Sequence, residues 1–261
     1  MRKYPWLATV LLFLVVVTFA EAAFVLLDTS GRSDALGECG VAGLGSSLKN
    51  PSNVLEGERF SLSFSHNELY NLDLPMEVIE LKGAIKSIPL SVTINRLTDG
   101  EGPYKERVYT FTTGKKIRNL ATGINLRRLI LNAEADGEGW ALDLGVIYNL
   151  KHNTKIGVAA QEVFSVVNYT TGRVEMPETC LDIGFAYTSG DLLYTAEMEN
   201  FNRLKLGIEK SFGNDLMLRV GYTNQHLTAG LGLKKGKFTF DYAYVPHLLG
   251  NAHRLYVKLG L

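Results

Sequence analysis

The sequence holds only two cysteines, Cys39 and Cys180. That excludes a disulfide scaffold and leaves either one bridge in an oxidising compartment or two free thiols. It has no excess of either charge, with 27 basic and 27 acidic residues, so no electrostatic footprint for nucleic acid or another polyanion is present. Beyond the N-terminus it has no apolar run long enough to make a membrane helix. It has no low-complexity linker, so one domain is expected. It has no Gly-x-Ser-x-Gly, no His-Glu-x-x-His and no metal or phosphate cradle. Histidines that could serve a lipid-facing hydrolase are His66, His226, His247 and His253. Histidines at strand ends are ordinarily rim residues, so the chain reads as non-enzymatic, with no catalytic residue, cofactor or metal.

What is present begins with an export signal. Arg2 and Lys3 precede an apolar run over residues 6–19, and Ala20-Glu21-Ala22 offers small residues around a cleavage point. Residues 1–22 are expected to be a Sec signal peptide cut after Ala22, because the apolar run is short for a permanent anchor. That leaves about 240 residues, enough for one large β domain.

Residues 202–261 set the pattern for the rest. They read as five strands, each strictly alternating. Leu204, Leu206, Ile208 and Phe212 stand against Arg203, Lys205, Gly207 and Glu209; Leu218, Val220 and Tyr222 against Arg219 and Gly221. Leu227, Ala229, Leu231 and Leu233 follow, then Phe238, Phe240, Tyr242 and Tyr244, then Leu255, Val257, Leu259 and Leu261. Side chains in a strand alternate between faces, so one face of this sheet is an apolar wall broken only by Lys210, while the other is small, polar and charged.

Alternation suits both a soluble sandwich and a membrane barrel. Three features favour the barrel: the export signal, strands of roughly eight to ten residues that can cross a bilayer, and aromatics at strand ends. Phe212, Tyr222 and Tyr244 close strands, Phe238 and Trp140 open them, and Tyr148, Phe185 and Tyr187 lie at other ends, as a headgroup-level girdle requires.

Nine further strands are expected, over residues 59–66, 78–85, 88–97, 105–113, 117–131, 140–148, 155–163, 179–188 and 191–200. The fold class is therefore all-β, a closed antiparallel transmembrane barrel of about fourteen strands over residues 59–261. The even-numbered connections are all short, at Lys86-Ser87, residues 114–116, residues 149–154, Ser189-Gly190, Gly213-Asn214 and Lys235-Gly236, and the long ones are all odd-numbered, although two odd ones, near Phe201 and Gln225, are short as well. Residues 23–58, with Gly40, Gly43 and Gly45 followed by Asn50-Pro51, are not strand-like. They are either a tether along the rim or a plug in the lumen.

The inward parity collects Glu197, Glu199, Arg203, Lys205, Glu209, Arg219, Asp241 and Lys258. Unpaired charges in a narrow lumen are costly, so a cross-strand ion-pair network is expected there.

Four blocks near the C-terminus resemble the PorV/PorQ family of FadL-like fourteen-strand outer-membrane barrels: Leu218-Arg219-Val220-Gly221-Tyr222, Thr228-Ala229-Gly230-Leu231-Gly232-Leu233, Asp241-Tyr242-Ala243-Tyr244-Val245-Pro246 and Leu249-Gly250-Asn251-Ala252-His253-Arg254. The Gly-rich segment with Asn50-Pro51 is similar to that family's N-terminal stretch, with Ser52-Asn53 in place of Ala-Gly, and Leu261 stands where a terminal aromatic is usual. The resemblance implies a place in the bacterial outer membrane, in contact with its lipid. It also implies either passive transport of hydrophobic small molecules, as in FadL-like proteins, or a role beside secretion-machine proteins, as in PorV-like ones.

Overall fold

The computed structural model describes residue 24 and residues 30–69, 74–100, 102–223, 226–247 and 250–261. The expected signal peptide over residues 1–22 lies outside the described residues, as does part of the loop carrying Leu249.

The wall begins with β1 (Ser61–Leu69), β2 (Leu74–Ile85), β3 (Ile88–Thr98), β4 (Lys105–Ile117) and β5 (Leu120–Asn132), then β6 (Gly137–Asn149) and β7 (Thr154–Tyr169). A two-residue strand, β8 (Val174–Glu175), lies along the end of β7 and adds nothing to the wall. The second half is β9 (Cys180–Ser189), β10 (Leu192–Glu199), β11 (Arg203–Phe212), β12 (Leu216–Thr223), β13 (His226–Lys235), β14 (Phe238–Val245) and β15 (Ala252–Gly260). Each wall strand pairs antiparallel with its neighbours; β7 bridges β6 and β9, and β1 meets β15. The ring of fourteen is closed, as the alternation predicts.

Hairpin turns match the sheet twist. Lys86 and Ser87 both hold positive φ, 48° and 69°, the backbone of a two-residue type I′ turn. One turn lies elsewhere than expected: β4 and β5 run through residues 114–116 to turn at Arg118-Asn119. Gly114 is not a turn residue. A Cβ there would lie 2.7 Å from the Thr122 carbonyl oxygen and 3.1 Å from the Val54 side chain, so its lack of a side chain serves close packing.

The faces divide as the alternation requires. Leu218, Val220 and Tyr222 are 46, 56 and 37% exposed, while Arg219 between them is 3% exposed. The same holds for Phe64, Ile79, Ile94 and Phe111 across β1–β4. A continuous apolar girdle of this extent exceeds what a water-soluble monomer leaves uncovered. Packing inside is therefore inverted relative to a soluble protein: buried groups are largely Ser, Thr, Asn and charged residues.

Two irregularities matter. Strands β4–β7 have 13 to 16 residues, whereas β10, β12 and β14 have 8, so the wall is taller on one side. In β7, register slips between Leu142 and Leu144 of its partner, placing a bulge at residues 161–163 with Glu162 at φ +57°. The β7–β9 ladder ends at Gln161↔Cys180 and the β7–β8 ladder resumes only at Val167. Between them, residues 162–166 have no ladder partner on that edge.

Candidate functional site in the plugged lumen

Residues 30–58 lie inside the barrel. They form α1 (Gly31–Ala35), a run of turns and a 3₁₀ turn over Pro51–Leu55. The segment seats against glycines on the inner face. A Cβ on Gly221 would lie 1.9 Å from the Gly37 nitrogen, one on Gly157 2.1 Å from the Val41 oxygen, and one on Gly123 2.3 Å from the Pro51 carbonyl carbon. No side chain fits at those three positions. Sequence parity had shown Gly207 and Gly221 as small inward residues; the occupant they make room for was not visible.

Asn50 and Pro51 lock this plug. Asn50 caps the 3₁₀ turn by accepting from Ser52 N at 3.0 Å, and its amide donates to the Val41 carbonyl at 2.7 Å. Asn53 donates to the Gly40 and Ser46 carbonyls. Gly40 and the next residue, Val41, donate their N–H groups to one oxygen of Glu197, at 2.9 and 3.0 Å. Gly43 lies against the Lys155 side chain, and Gly45 N donates to the Gly40 carbonyl.

The expected inward charges fall into two groups plus two outliers. In the first, Glu197 and Glu199 meet Lys49 of the plug at 3.0 and 3.9 Å, with Asp182 at 2.7 Å. Lys205 pairs with Glu199 and lies 3.7 Å from Glu38, which also meets Arg254 at 3.3 Å. Arg254 in turn pairs with Asp34. In the second, Arg219 joins Glu209 at 2.6 Å and Asp241 at 2.5 Å, and Glu209 takes Arg32 at 2.7 Å. Arg203 stands at the rim, 53% exposed, on Glu199 at 3.2 Å. Lys258 reaches Glu58 at the opposite end. The sequence expectation was a cross-strand network; most of these pairs instead join wall to plug. Lys49, Asp34, Glu38 and Arg32 were missed because nothing in a non-strand segment says which wall charge it will meet.

Burial by itself would pull the Lys49 ammonium down, but Glu197, Asp182 and Glu199 reverse this and hold it well above the ordinary lysine value. Burial would raise Glu38, and Arg254, Lys205 and Lys49 outweigh it to hold that carboxyl below its usual range. Cys39 and Cys180 are both free, so the bridge left open by the sequence is not formed. Burial, with the Glu197 charge behind it, pushes the Cys39 thiol up to about 12.

On the tall side the inner wall is layered, and register gives the order. The lowest layer, Gly114, Gly123, Gly145 and Ala159, carries the plug at Pro51. Above it Thr112, Asn125 and Asp143 face the bulge. Next come Thr110, Arg127, Ala141 and Ser165. Arg127 is completely buried; it meets Asp143 at 2.7 Å and Glu162 at 3.3 Å, and its Nε and Nη1 lack partners. Directly above stand Val108, Leu129 and Val167, with Leu131 one step higher, and Phe24 packs among them. Leu69, Met76 and Val78 form a neighbouring apolar patch on β1 and β2. The upper inner wall on this side is thus an apolar cluster packed around Phe24 over a polar shelf, where a mostly small, polar and charged lining was expected. At the other end of the barrel, a cavity of about 510 Å³ is lined by Glu58, Lys82, Lys155, Thr188, Arg219 and Lys258 among others.

No family model and no curated protein matches this chain. Solved structures do. The chain is similar in fold to the CymD monoaromatic hydrocarbon channel, at 13% identity over 91% of this chain and 97% of that one, with a TM-score of 0.60. The Ralstonia pickettii toluene transporter TbuX aligns at 12% identity over 91% and 98%, TM-score 0.56. A Pseudomonas aeruginosa FadL homologue aligns at 10% identity over 89% and 98%, TM-score 0.54. The fold is FadL-like. The narrower PorV/PorQ resemblance stays with the C-terminal sequence blocks.

Proposed function

We propose that this chain is a non-enzymatic outer-membrane barrel that passes hydrophobic solutes inward, with residues 30–58 closing its lumen to water and ions. The observation that carries this reading is the inward apolar cluster of Val108, Leu129, Leu131 and Val167 around Phe24, above a polar shelf. The plug takes its own apolar contacts elsewhere, Ala35 on Ala243 and Val245 and Leu36 and Ala42 on Ala186 and Leu193, and its glycine seats and ion pairs also lie away from this cluster. The cluster provides a surface that a hydrophobic molecule prefers to water, at about 25 cal/mol per Å² buried. Phe24 occupies the place an aromatic or alkyl group would take. The unpartnered nitrogens of Arg127 below would donate to a polar end such as a carboxylate. The break in ladder pairing at residues 162–166 of β7 is where a solute would leave sideways toward lipid. That the similar solved structures include a toluene transporter and a monoaromatic hydrocarbon channel supports the same solute class.

The test is uptake by proteoliposomes of a labelled long-chain fatty acid and of a labelled monoaromatic. Wild-type vesicles should take up at least one of them faster than empty vesicles. Leu129→Glu, which puts a charge in the apolar cluster, should abolish the gain while the barrel still folds. Uptake equal to that of empty vesicles for both solutes sinks the reading. Should uptake be absent while cross-linking in cells recovers a secretion component, the PorV-like role takes its place.

A further inference from the structure

The outward face carries an arrangement that transport does not use. Near the ends of the strands away from the termini, Arg96 of β3 and Arg107 of β4 face each other directly in register, both on the outward parity. Like charges directly opposed across a sheet destabilise it unless something lies between them. Lys105 stands one step above Arg107, and Arg128 of β5 one step below, opposite Tyr109. The outward faces of β3–β5 hold no carboxylate, Glu106 being buried on the inner parity, but the flanking strands do: Glu77 of β2 stands opposite Arg96, and Glu138 of β6 is ion-paired with Arg128. Among the described residues Arg96 forms no ion pair. Arg107 donates only from Nη2, to Asn132 Oδ1, and its Nε is left without a partner.

Depth is fixed independently. One step below the arginine pair are Ile94 and Tyr109, then Val92 and Phe111, all exposed members of the apolar girdle. Arg128 lies 5.1 Å over the ring of Trp140, an amphipathic pair suited to the membrane interface. The cations therefore stand where hydrocarbon gives way to headgroups. They are confined to one sector: on β11 the outward Lys210 lies at the opposite end and is paired with Asp191.

We propose that β3–β5 form a binding site for a phosphorylated lipid of the extracellular leaflet. Arg96 and Arg107 fork one phosphate between them, and Lys105 flanks it while the acyl chains lie along Ile94, Val92 and Phe111. Guanidinium groups match phosphate oxygens in paired hydrogen bonds, and a phosphate removes the repulsion that the bare pair carries. Attraction of juxtamembrane cations to anionic headgroups gives each further contact a share of the affinity. This inference rests on the membrane location proposed above and is independent of the solute.

Native mass spectrometry of the full chain in detergent, titrated with lipid A, tests it. The wild type should retain lipid A, and Arg96→Gln/Arg107→Gln should bind it at least roughly tenfold more weakly, the equivalent of ~1.4 kcal/mol. Lys237→Gln, at the opposite rim, should bind as the wild type does. Solute uptake by the double variant should be unchanged, which separates failure of this site from failure of the transport reading. Equal retention by the double variant overturns the proposal, as does equal retention of phosphatidylcholine. Displacement by millimolar inorganic phosphate would make a free anion the ligand and overturn it too.

Discussion

Replacing Lys49 by methionine is expected to release the plug. The ammonium stands within 4 Å of Asp182, Glu197 and Glu199, and Asp182 and Glu197 are essentially inaccessible to solvent. Glu199 keeps Lys205 and Arg203, but removing Lys49 leaves Asp182 and Glu197 buried without an ion-pair partner, at a cost of about 3–5 kcal/mol. The loss is not shared by the wall, whose ladders do not involve Lys49. It falls on the plug, which relieves the cost by leaving the lumen. Cys39 reports this, since it is buried beside Glu197 and its thiol is held far above neutral pH. Wild-type protein in detergent should resist maleimide at Cys39, Lys49→Met should label rapidly, and Lys49→Arg should stay protected. Equal protection of all three would mean that the ion pairs do not hold the segment.

The second large effect is steric. Leucine at Gly221 has no room, because its Cβ would meet the Gly37 nitrogen at 1.9 Å and the Leu36 carbonyl carbon at 2.3 Å. Both neighbours are backbone and cannot rotate away. Wall and plug must separate there, and a closed barrel tolerates separation only by moving its filling. Planar bilayers containing the wild type should stay at a closed baseline. Gly221→Leu should show resolved single-channel steps, and deletion of residues 31–57 should show the same steps in barrels that still shift in mobility on heating. Ala196→Leu, on the outward face of β10, should stay closed. A silent Gly221→Leu barrel that is folded would contradict the plug as the seal.

Which parts were legible in the sequence follows from range. Strand alternation is a local property, so the fourteen strands and their faces were readable from Leu62 to Leu259. Gly114 misled because glycine marks both turns and close approach, and only the packed Val54 tells which applies. β7 was cut short at residue 163 because two consecutive outward side chains, Val163 and Phe164, break the alternation where the bulge lies. The apolar cluster was hidden for a related reason. Leu129-Ile130-Leu131 is apolar on both faces, one toward lipid and one toward the lumen, and period-two reading assigns such a run only one. Plug contacts such as Lys49 with Asp182 span 133 residues and depend on packing that no local pattern encodes.

Lipid covers the outward face, and one tryptophan can report it. The sequence has two tryptophans, Trp6 and Trp140, and Trp6 lies in the expected signal peptide. Trp140 points outward at the upper edge of the girdle. In bilayers holding the chain without residues 1–22, its fluorescence should be quenched strongly by lipids brominated near the headgroup, weakly by lipids brominated at the chain ends, and little by aqueous iodide. Strong iodide quenching with no effect of either brominated lipid would put that face in water.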